Sequence, residues 1–249
     1  MRYFIELSYN GKMYHGWQVQ VNEVSVQEII EKALSVMLRE AISVLGCGRT
    51  DAGVHASQFY LHFDSRQALD KEKLKFRLNS FLPKDIAIFR ILNVRDETHA
   101  RFDAVSRSYE YRISLEKNVF NVDLSLQLHD ENIDVGKMNE AADLLLNYKD
   151  FKCFSRSKTD VKTYECSITE AVWKQEGNRL VFYITANRFL RNMVRAVVGT
   201  LLEVGQNKKS LDEFIKVIES RDRTKAGASV KAKGLFLTRV DYPKEIFDY

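Results

Sequence analysis

The stretch "AISVLGCGRTDAGVHASQFYLHF" (residues 41–63) places one carboxylate, Asp51, in a glycine-punctuated loop between two apolar runs. The run before the loop is short and apolar, and the run after it is rich in aromatic side chains, which is typical of two strands joined by a loop. An aspartate near glycine is also ordinary turn chemistry, because its carboxylate accepts a hydrogen bond from the backbone two residues further on. From this stretch alone, Asp51 is either a turn residue or a catalytic one.

Strand and helix patterns alternate along the rest of the chain in two comparable halves. The patterns predict strands at about 3–9, 41–45, 57–63, 86–94, 107–115, 163–174, 179–186 and 234–242. They predict helices at about 25–37, 70–80, 135–147 and 188–204, and a further helix that begins at Ser210. Interleaved strands and helices predict an α+β fold. We expect the halves to be residues 1–103, which carry Asp51, and residues 104–249.

The composition is that of an ordinary globular protein, with 45% hydrophobic and 29% charged residues among 249. Three cysteines without a CxxC pair argue against a disulfide framework. The five histidines lack a metal-binding spacing, and no phosphate-binding glycine loop occurs, so we predict neither a metal nor a cofactor. The N-terminus has a strand pattern and no apolar run is long enough to span a bilayer, which predicts a cytoplasmic protein. The net charge of +4 is only a weak indication of a nucleic-acid partner.

Six segments resemble, in the same order, the signature segments of the tRNA pseudouridine synthase A family. They are "YHGWQ" (14–18), "GRTDAGVHA" (48–56), "NSFLPKDIAI" (79–88), "HARFDAVSRSYEYRI" (99–113), "NRFLRNMVRAVVGTLLEVG" (187–205) and "GLFLTRVDYP" (234–243). The resemblance implies two RRM-like halves that form a continuous, mainly antiparallel sheet with helices on one face and a basic cleft on the other. It also implies a cofactor-free homodimer that converts uridines 38, 39 and 40 of the tRNA anticodon stem-loop to pseudouridine.

The resemblance assigns roles to four residues of this sequence. Asp51 matches the catalytic carboxylate, which we expect to act as the nucleophile, and Arg195 matches the arginine that forms an ion pair with it. Tyr109 matches the tyrosine that stacks on the uracil, and Leu235 matches a position lining the base pocket, although a buried strand leucine explains Leu235 equally well. A carboxylate can attack the sugar or the base, or accept a ribose proton, and the sequence leaves these steps open.

Basic residues outside these positions are candidates for RNA contact. We expect Arg49 to contact RNA or to support the flipped nucleotide, with a structural ion pair as the alternative. Phosphate contacts are predicted for Lys12, Arg101, Arg188 and Arg191, and the run Arg221, Arg223, Lys225, Lys231 and Lys233 is a further candidate. The helical pattern of 188–204 predicts that Arg188, Arg191 and Arg195 share one face. The small-residue segment "KAGASVKAKG" (225–234) is predicted to be a flexible loop facing RNA, or else a plainly solvated one.

Three other functions are compatible with parts of this pattern. A pseudouridine synthase of the same fold could act on another RNA site. A non-catalytic RNA-binding protein would be expected to lack part of the set Asp51, Tyr109 and Arg195, all of which are present. A glycosidase or nucleoside hydrolase would need a second carboxylate at a defined distance from Asp51, and the signature segments offer none.

Overall fold

The computed structural model describes residues 1–128, 132–156 and 161–247. These residues contain nine strands and five α-helices. The strands are β1 (Arg2–Tyr9), β2 (Leu45–Gly46), β3 (His55–Asp64), β4 (Ile86–Val94), β5 (Ser106–Ser114), β6 (Leu126–Gln127), β7 (Ile168–Glu176), β8 (Arg179–Ala186) and β9 (Leu235–Asp241). The α-helices are α1 (Val26–Leu38), α2 (Lys71–Phe81), α3 (Val135–Leu144), α4 (Met193–Gly205) and α5 (Leu211–Ser220). The predicted α+β class is confirmed.

Two compact units make up the chain. The first unit contains residues 1–107 and the segment from Phe236 onward, and the second contains residues 108–235. The division differs from the predicted ranges 1–103 and 104–249 chiefly at the C-terminal end. There β9 pairs in parallel with β3, with Phe236 opposite His55, so that the last strand of the sequence belongs to the first unit.

In the first unit the strand order is β4-β1-β3-β9, and β2 adds to β3. β1 pairs antiparallel with both β3 and β4, and its Tyr3, Ile5, Leu7 and Tyr9 are buried, as their alternation predicts. α1 begins at Ser25, whose hydroxyl accepts a hydrogen bond from the Glu28 amide. α2 begins in the same way at Asp70 and buries Leu74 and Leu78. These helix starts confirm the sequence predictions.

The predicted strand at 41–45 is mostly absent. Only Leu45 and Gly46 pair with β3. The preceding amides are bonded to side chains of α1 instead: Ile42 N–H donates to Ser35 Oγ at 3.0 Å, and Val44 N–H donates to Glu31 Oε1 at 2.9 Å. Because side-chain acceptors occupy these backbone donors, the apolar residues Ile42 and Val44 are buried without joining the sheet.

In the second unit, β8 lies between β5 and β7, and β6 adds to β5. β7 and β8 form a long antiparallel pair, and α3 is fixed to β7 through the side-chain amide of Asn139, which bonds both backbone groups of Trp173. α5 begins with the complete capping box of Ser210 and Glu213, as predicted. Within the described ranges, no helix is long and apolar enough to cross a membrane.

The predicted helix at 188–204 begins five residues later, at Met193. Asn192 precedes it with φ 64° and ψ 6°, which is left-handed backbone. An α-helix cannot continue through such a residue, so Arg188 and Arg191 lie in the segment before α4, Arg191 in a turn, and not on the helix. The expectation that they share one helix face with Arg195 is therefore wrong.

Candidate active site

Asp51 lies in the loop 47–54, between β2 and β3, and this Asp51 loop is fixed at several points. The Thr50 carbonyl accepts a hydrogen bond from the Trp17 amide, and the Thr50 hydroxyl bonds Tyr9 Oη at 2.8 Å. The Val54 amide closes a turn on the Asp51 carbonyl at 3.1 Å. Both backbone and side-chain bonds therefore hold the peptide groups on either side of the carboxylate, which is itself partly exposed.

The segment 11–17, which includes most of "YHGWQ", packs directly against the Asp51 loop. Gly53 N–H donates to the Tyr14 carbonyl, and Gly11 N–H donates to His55 Nδ1 at 3.1 Å. Gly16 has φ +92°, and a Cβ on it would lie 2.3 Å from the Thr50 carbonyl oxygen. Glycine is therefore required at position 16 both by its backbone angle and by the close approach of the two loops.

Arg107 connects the Asp51 loop to a second turn. Its Nη2 donates to the Cys47 carbonyl at 3.0 Å and to the Arg101 carbonyl at 2.6 Å, while Nη1 donates to the Ala104 carbonyl at 2.8 Å. The sequence assigned Arg107 no role beyond its place in the segment "HARFDAVSRSYEYRI" (99–113). Its position in that segment was the only sign of a role in the sequence. The fold brings the Cys47 carbonyl next to the turn that contains Arg101 and Ala104, and this proximity is not visible in the sequence.

The loop contains a second potential nucleophile, the thiol of Cys47. Burial raises the pKa of Cys47 to about 12, and the Tyr60 amide and the charge of Arg107 oppose this only in part. A thiol with so high a pKa stays protonated near neutral pH and is a poor nucleophile. Asp51 is therefore the better candidate for covalent or acid–base chemistry in this loop.

Of the predicted RNA-contact residues, three belong to the first unit. Lys12 is exposed on the segment 11–17, and Arg49 is exposed two residues before Asp51. Arg101 is exposed on the turn that Arg107 holds. The fold thus collects these three side chains and Asp51 on segments that contact one another through backbone hydrogen bonds or through Arg107.

Arg195 lies in the first turn of α4, in the second unit. Its Nε–H donates to the Val230 carbonyl at 2.7 Å, and the Val230 amide donates back to the Arg195 carbonyl at 3.2 Å. The first bond orients the guanidinium, and the second holds Val230 against the backbone of the helix. An arginine held through Nε can still bind a carboxylate through its two Nη groups.

The segment 226–231 that holds Arg195 is itself tightly held, contrary to the predicted flexible loop. Ser229 Oγ accepts from Asn192 Nδ2 at 2.6 Å and from Arg223 Nη2 at 2.9 Å. A Cβ on Gly199 would lie 1.8 Å from the Ala228 carbonyl oxygen, so the segment rests on the backbone of α4. Arg223 also donates to two carbonyls of the same segment, which gives it a structural role.

Tyr109 and Leu235, the candidates for base binding, also belong to the second unit. The Tyr109 ring meets Phe189 edge-on, with centroids 5.1 Å apart, and both side chains are partly exposed. Leu235 is buried at the start of β9, which fits either a pocket-lining or a core residue. Tyr111 is fully buried and donates to the Lys231 carbonyl. Burial raises the pKa of the Tyr111 phenol, against the opposing charge of Arg195, so this tyrosine is a core residue.

Arg188 and Arg191 precede α4, as described above. Arg191 is exposed, and its carbonyl accepts a hydrogen bond from the Arg156 amide. Arg188 is partly exposed. Throughout the parts of the chain that the structure describes, no group of three or more histidine, cysteine or acidic side chains could hold a metal ion.

Comparison with known proteins identifies the family of this chain. The family described as tRNA pseudouridine synthase matches residues 7–103 and 141–243. The protein called tRNA pseudouridine synthase A of Bacteroides fragilis is 51% identical over 249 residues, covering 99% of this chain and 98% of its own length. Proteins of the same name from Porphyromonas gingivalis and Clostridium acetobutylicum are 48% and 40% identical, covering 99% and 96% of this chain and 99% and 98% of their own lengths. This chain therefore belongs to the tRNA pseudouridine synthase family.

Proposed function

We propose that this protein converts uridine to pseudouridine at positions 38, 39 and 40 of the tRNA anticodon stem-loop. The reaction breaks the bond from ribose C1′ to uracil N1 and forms a bond from C1′ to C5, so that reactant and product contain the same atoms. No co-substrate is consumed. The observation that carries the proposal is the Asp51 loop, which presents one carboxylate from a backbone held by Tyr9, Trp17 and Val54.

Asp51 acts in this proposal as the nucleophile. A carboxylate under an extruded base loses water, which favours its neutral form, and a nearby cation opposes that effect. We assign Arg195 as that cation, through an ion pair with Asp51. The assignment rests on the family motif and is supported by the Nε bond to Val230, which holds the guanidinium in a fixed orientation.

The remaining roles concern the RNA. An extruded uracil needs a stacking surface, which we assign to Tyr109, with Leu235 lining the base pocket. Arg49 supports the flipped nucleotide, and the proposed phosphate contacts are Lys12, Arg101, Arg188 and Arg191. A homodimer and a cytoplasmic location remain predictions from the sequence.

The test uses purified protein and unmodified tRNA transcripts in which position 38, 39 or 40 carries the only candidate uridine. Pseudouridine is mapped by carbodiimide labelling and primer extension, with Asp51→Asn protein in parallel. We expect stops at these positions with the wild-type protein only. Modification at another position would retain the chemistry and overturn the proposed target. Binding without modification would favour the non-catalytic RNA-binding protein.

A further inference from the structure

The turn 98–104, with the sequence "THARFDA", uses its own polar groups to fix its shape. His99 N–H donates to Asp103 Oδ2 at 2.7 Å, and Asp103 N–H donates to the His99 carbonyl at 3.1 Å. The ring nitrogen Nδ1 of His99 accepts from the amides of Arg101 and Phe102, at 3.0 and 3.4 Å. The amides of residues 99, 101, 102 and 103 therefore all have acceptors within the turn.

Surrounding elements anchor the same turn. Ala100 N–H donates to His62 Nδ1 on β3 at 3.1 Å, and the Ala100 carbonyl accepts from Tyr242 Oη. Arg107 holds the Arg101 and Ala104 carbonyls and, with the same Nη2, the Cys47 carbonyl. Through Arg107 the turn is therefore tied to the first residue of the Asp51 loop.

This fixed backbone displays two neighbouring exposed side chains, Arg101 and Phe102. The Phe102 side chain is 73% exposed, so burial does not explain its presence. Its ring rests on the His99 ring with centroids 4.3 Å apart, and the Arg101 guanidinium lies 5.7 Å from its centroid. A single exposed phenylalanine needs no explanation. An aromatic ring beside a cation, on a backbone fixed in advance, is the combination that binds nucleobases next to phosphates.

We propose that Phe102 is a stacking platform for a nucleobase of the bound tRNA other than the uridine that is isomerised, with Arg101 contacting a phosphate next to that base. The proposal rests on the proposed function. Extruding a uridine unstacks its neighbours, and an aromatic surface that receives one of them offsets part of that free energy. The connection through Arg107 fixes this surface relative to the Asp51 loop.

The experiment measures the Kd of an unmodified tRNA transcript with uridine at position 39 for the full-length protein and four variants. Base–aromatic stacking corresponds to about 5- to 150-fold in affinity, so Phe102→Ala should raise Kd by about tenfold. Phe102→Leu keeps apolar bulk but loses the aromatic face, and it should lose most of the same affinity. Phe102→Trp should bind about as tightly as the wild type. Phe76→Ala is the matched control, because Phe76 on α2 is also 73% exposed, and it should leave Kd unchanged.

The dependence of Kd on salt concentration distinguishes the proposed phosphate contact of Arg101 from the proposed stacking of Phe102. Arg101→Gln should reduce the slope of log Kd against log salt concentration by about one, as the loss of a phosphate contact predicts, whereas Phe102→Ala should leave the slope unchanged. Thermal unfolding of each variant identifies a folding defect, and a loss of affinity in folded Phe102→Leu protein supports the proposal by itself.

Wild-type affinity in Phe102→Ala or in Phe102→Leu would overturn the proposal. An equal loss of affinity in Phe76→Ala would overturn it as well. So would a change in the oligomeric state of Phe102→Ala with no change in its Kd, which would indicate that Phe102 contacts protein. Pseudouridine formation by the wild-type protein is measured on the same transcript. Its absence would contradict the proposed function, whereas its presence with an unchanged Kd in Phe102→Ala would contradict only the stacking platform.

Discussion

Arg195 and Val230 hydrogen-bond each other in both directions, from Arg195 Nε to the Val230 carbonyl at 2.7 Å and from the Val230 amide to the Arg195 carbonyl at 3.2 Å. The position of the guanidinium therefore depends on a segment 35 residues further along the chain. That segment is held in turn by Ser229, which bonds Asn192 and Arg223. Because we propose that Arg195 pairs with Asp51, we expect substitutions in this segment to affect the reaction through Arg195.

Ser229→Ala should lower kcat by about tenfold while changing the Kd for tRNA less than threefold. The substitution removes the acceptor of the Asn192 and Arg223 side chains, so that segment 226–231 no longer holds Arg195 in place, and one lost hydrogen bond of this kind destabilises by about 1–2 kcal/mol. If Arg195 pairs with Asp51 as we propose, displacing this cation favours protonation of the carboxylate, so the acidic limb of the pH profile of kcat should move to higher pH. Single-turnover rates between pH 5 and 9 measure this shift.

Two variants complete that experiment. Ser229→Thr keeps the hydroxyl and should restore both the rate and the pH profile, whereas Ser80→Ala removes an exposed hydroxyl of the first unit and should have no effect. A wild-type pH profile in folded Ser229→Ala protein would show that the segment does not position Arg195 for the reaction.

Asp51→Asn should reduce pseudouridine formation to about one-thousandth of the wild-type rate or less, because the amide can neither attack carbon nor accept a proton efficiently. Binding of tRNA should stay within about threefold of wild type, since one carboxylate contributes little to phosphate recognition. The measurement is pseudouridine mapping beside filter binding. Asp212→Asn, at an exposed carboxylate of α5, serves as the control. Turnover of Asp51→Asn protein at a rate comparable to wild type would show that Asp51 is not required for the reaction.

Gly16→Ala should destabilise the protein by about 2 kcal/mol or more, because alanine disfavours φ +92° and its Cβ would lie 2.3 Å from the Thr50 carbonyl oxygen. Movement of the Asp51 loop should also lower kcat. Gly48→Ala is the matched control for stability, since a Cβ there would meet nothing within 4 Å. Urea unfolding measures both variants. Equal stability of Gly16→Ala and Gly48→Ala would contradict the close packing of these loops.

The stability of the protein should fall as the pH decreases from about 6.5 to about 4, in part because of His62. Burial, with smaller contributions from the charges of Arg2 and His99, lowers the pKa of His62 from 6.5 to about 4, and Asp64 and Asp103 oppose this in part. Between these pH values His62 is protonated in the unfolded chain but not in the folded chain, which lowers the free energy of unfolding as the pH falls. The full loss of stability is reached below about pH 4. Urea midpoints at pH 4.5, 5.5 and 7 give the slope.

His62→Asn is the informative variant for this slope, since its side-chain oxygen can replace Nδ1 as the acceptor of the Ala100 amide without titrating. Its unfolding midpoint should depend less steeply on pH than that of the wild type. A slope identical to that of the wild-type protein would assign the acid sensitivity to other groups, such as His99, whose pKa burial also lowers.

Regular local patterns predicted most elements of the fold. Alternation predicted β1 and β5, and the side chains of Ser25 and Ser210 marked helix starts that the structure confirms. The prediction failed where a distant side chain or an unusual backbone angle decided the outcome. The side chains of Glu31 and Ser35 accept hydrogen bonds from the amides that would have extended β2. The left-handed backbone of Asn192 makes α4 begin later than predicted. Neither effect has a periodic signal in the sequence.

The sequence by itself determined the α+β class, the family and the candidate reacting group, because these depend on periodic burial and on residue types in motifs. Only the tertiary structure decided what holds those groups in place. Arg107 joins the carbonyl of Cys47, 60 positions earlier in the chain, to the nearby carbonyl of Arg101. Val230 orients Arg195 through a hydrogen bond between residues 35 positions apart. Such bonds form only when the fold brings distant parts of the chain close together. A backbone carbonyl can accept them whatever side chain its residue carries, so the residue type does not reveal them.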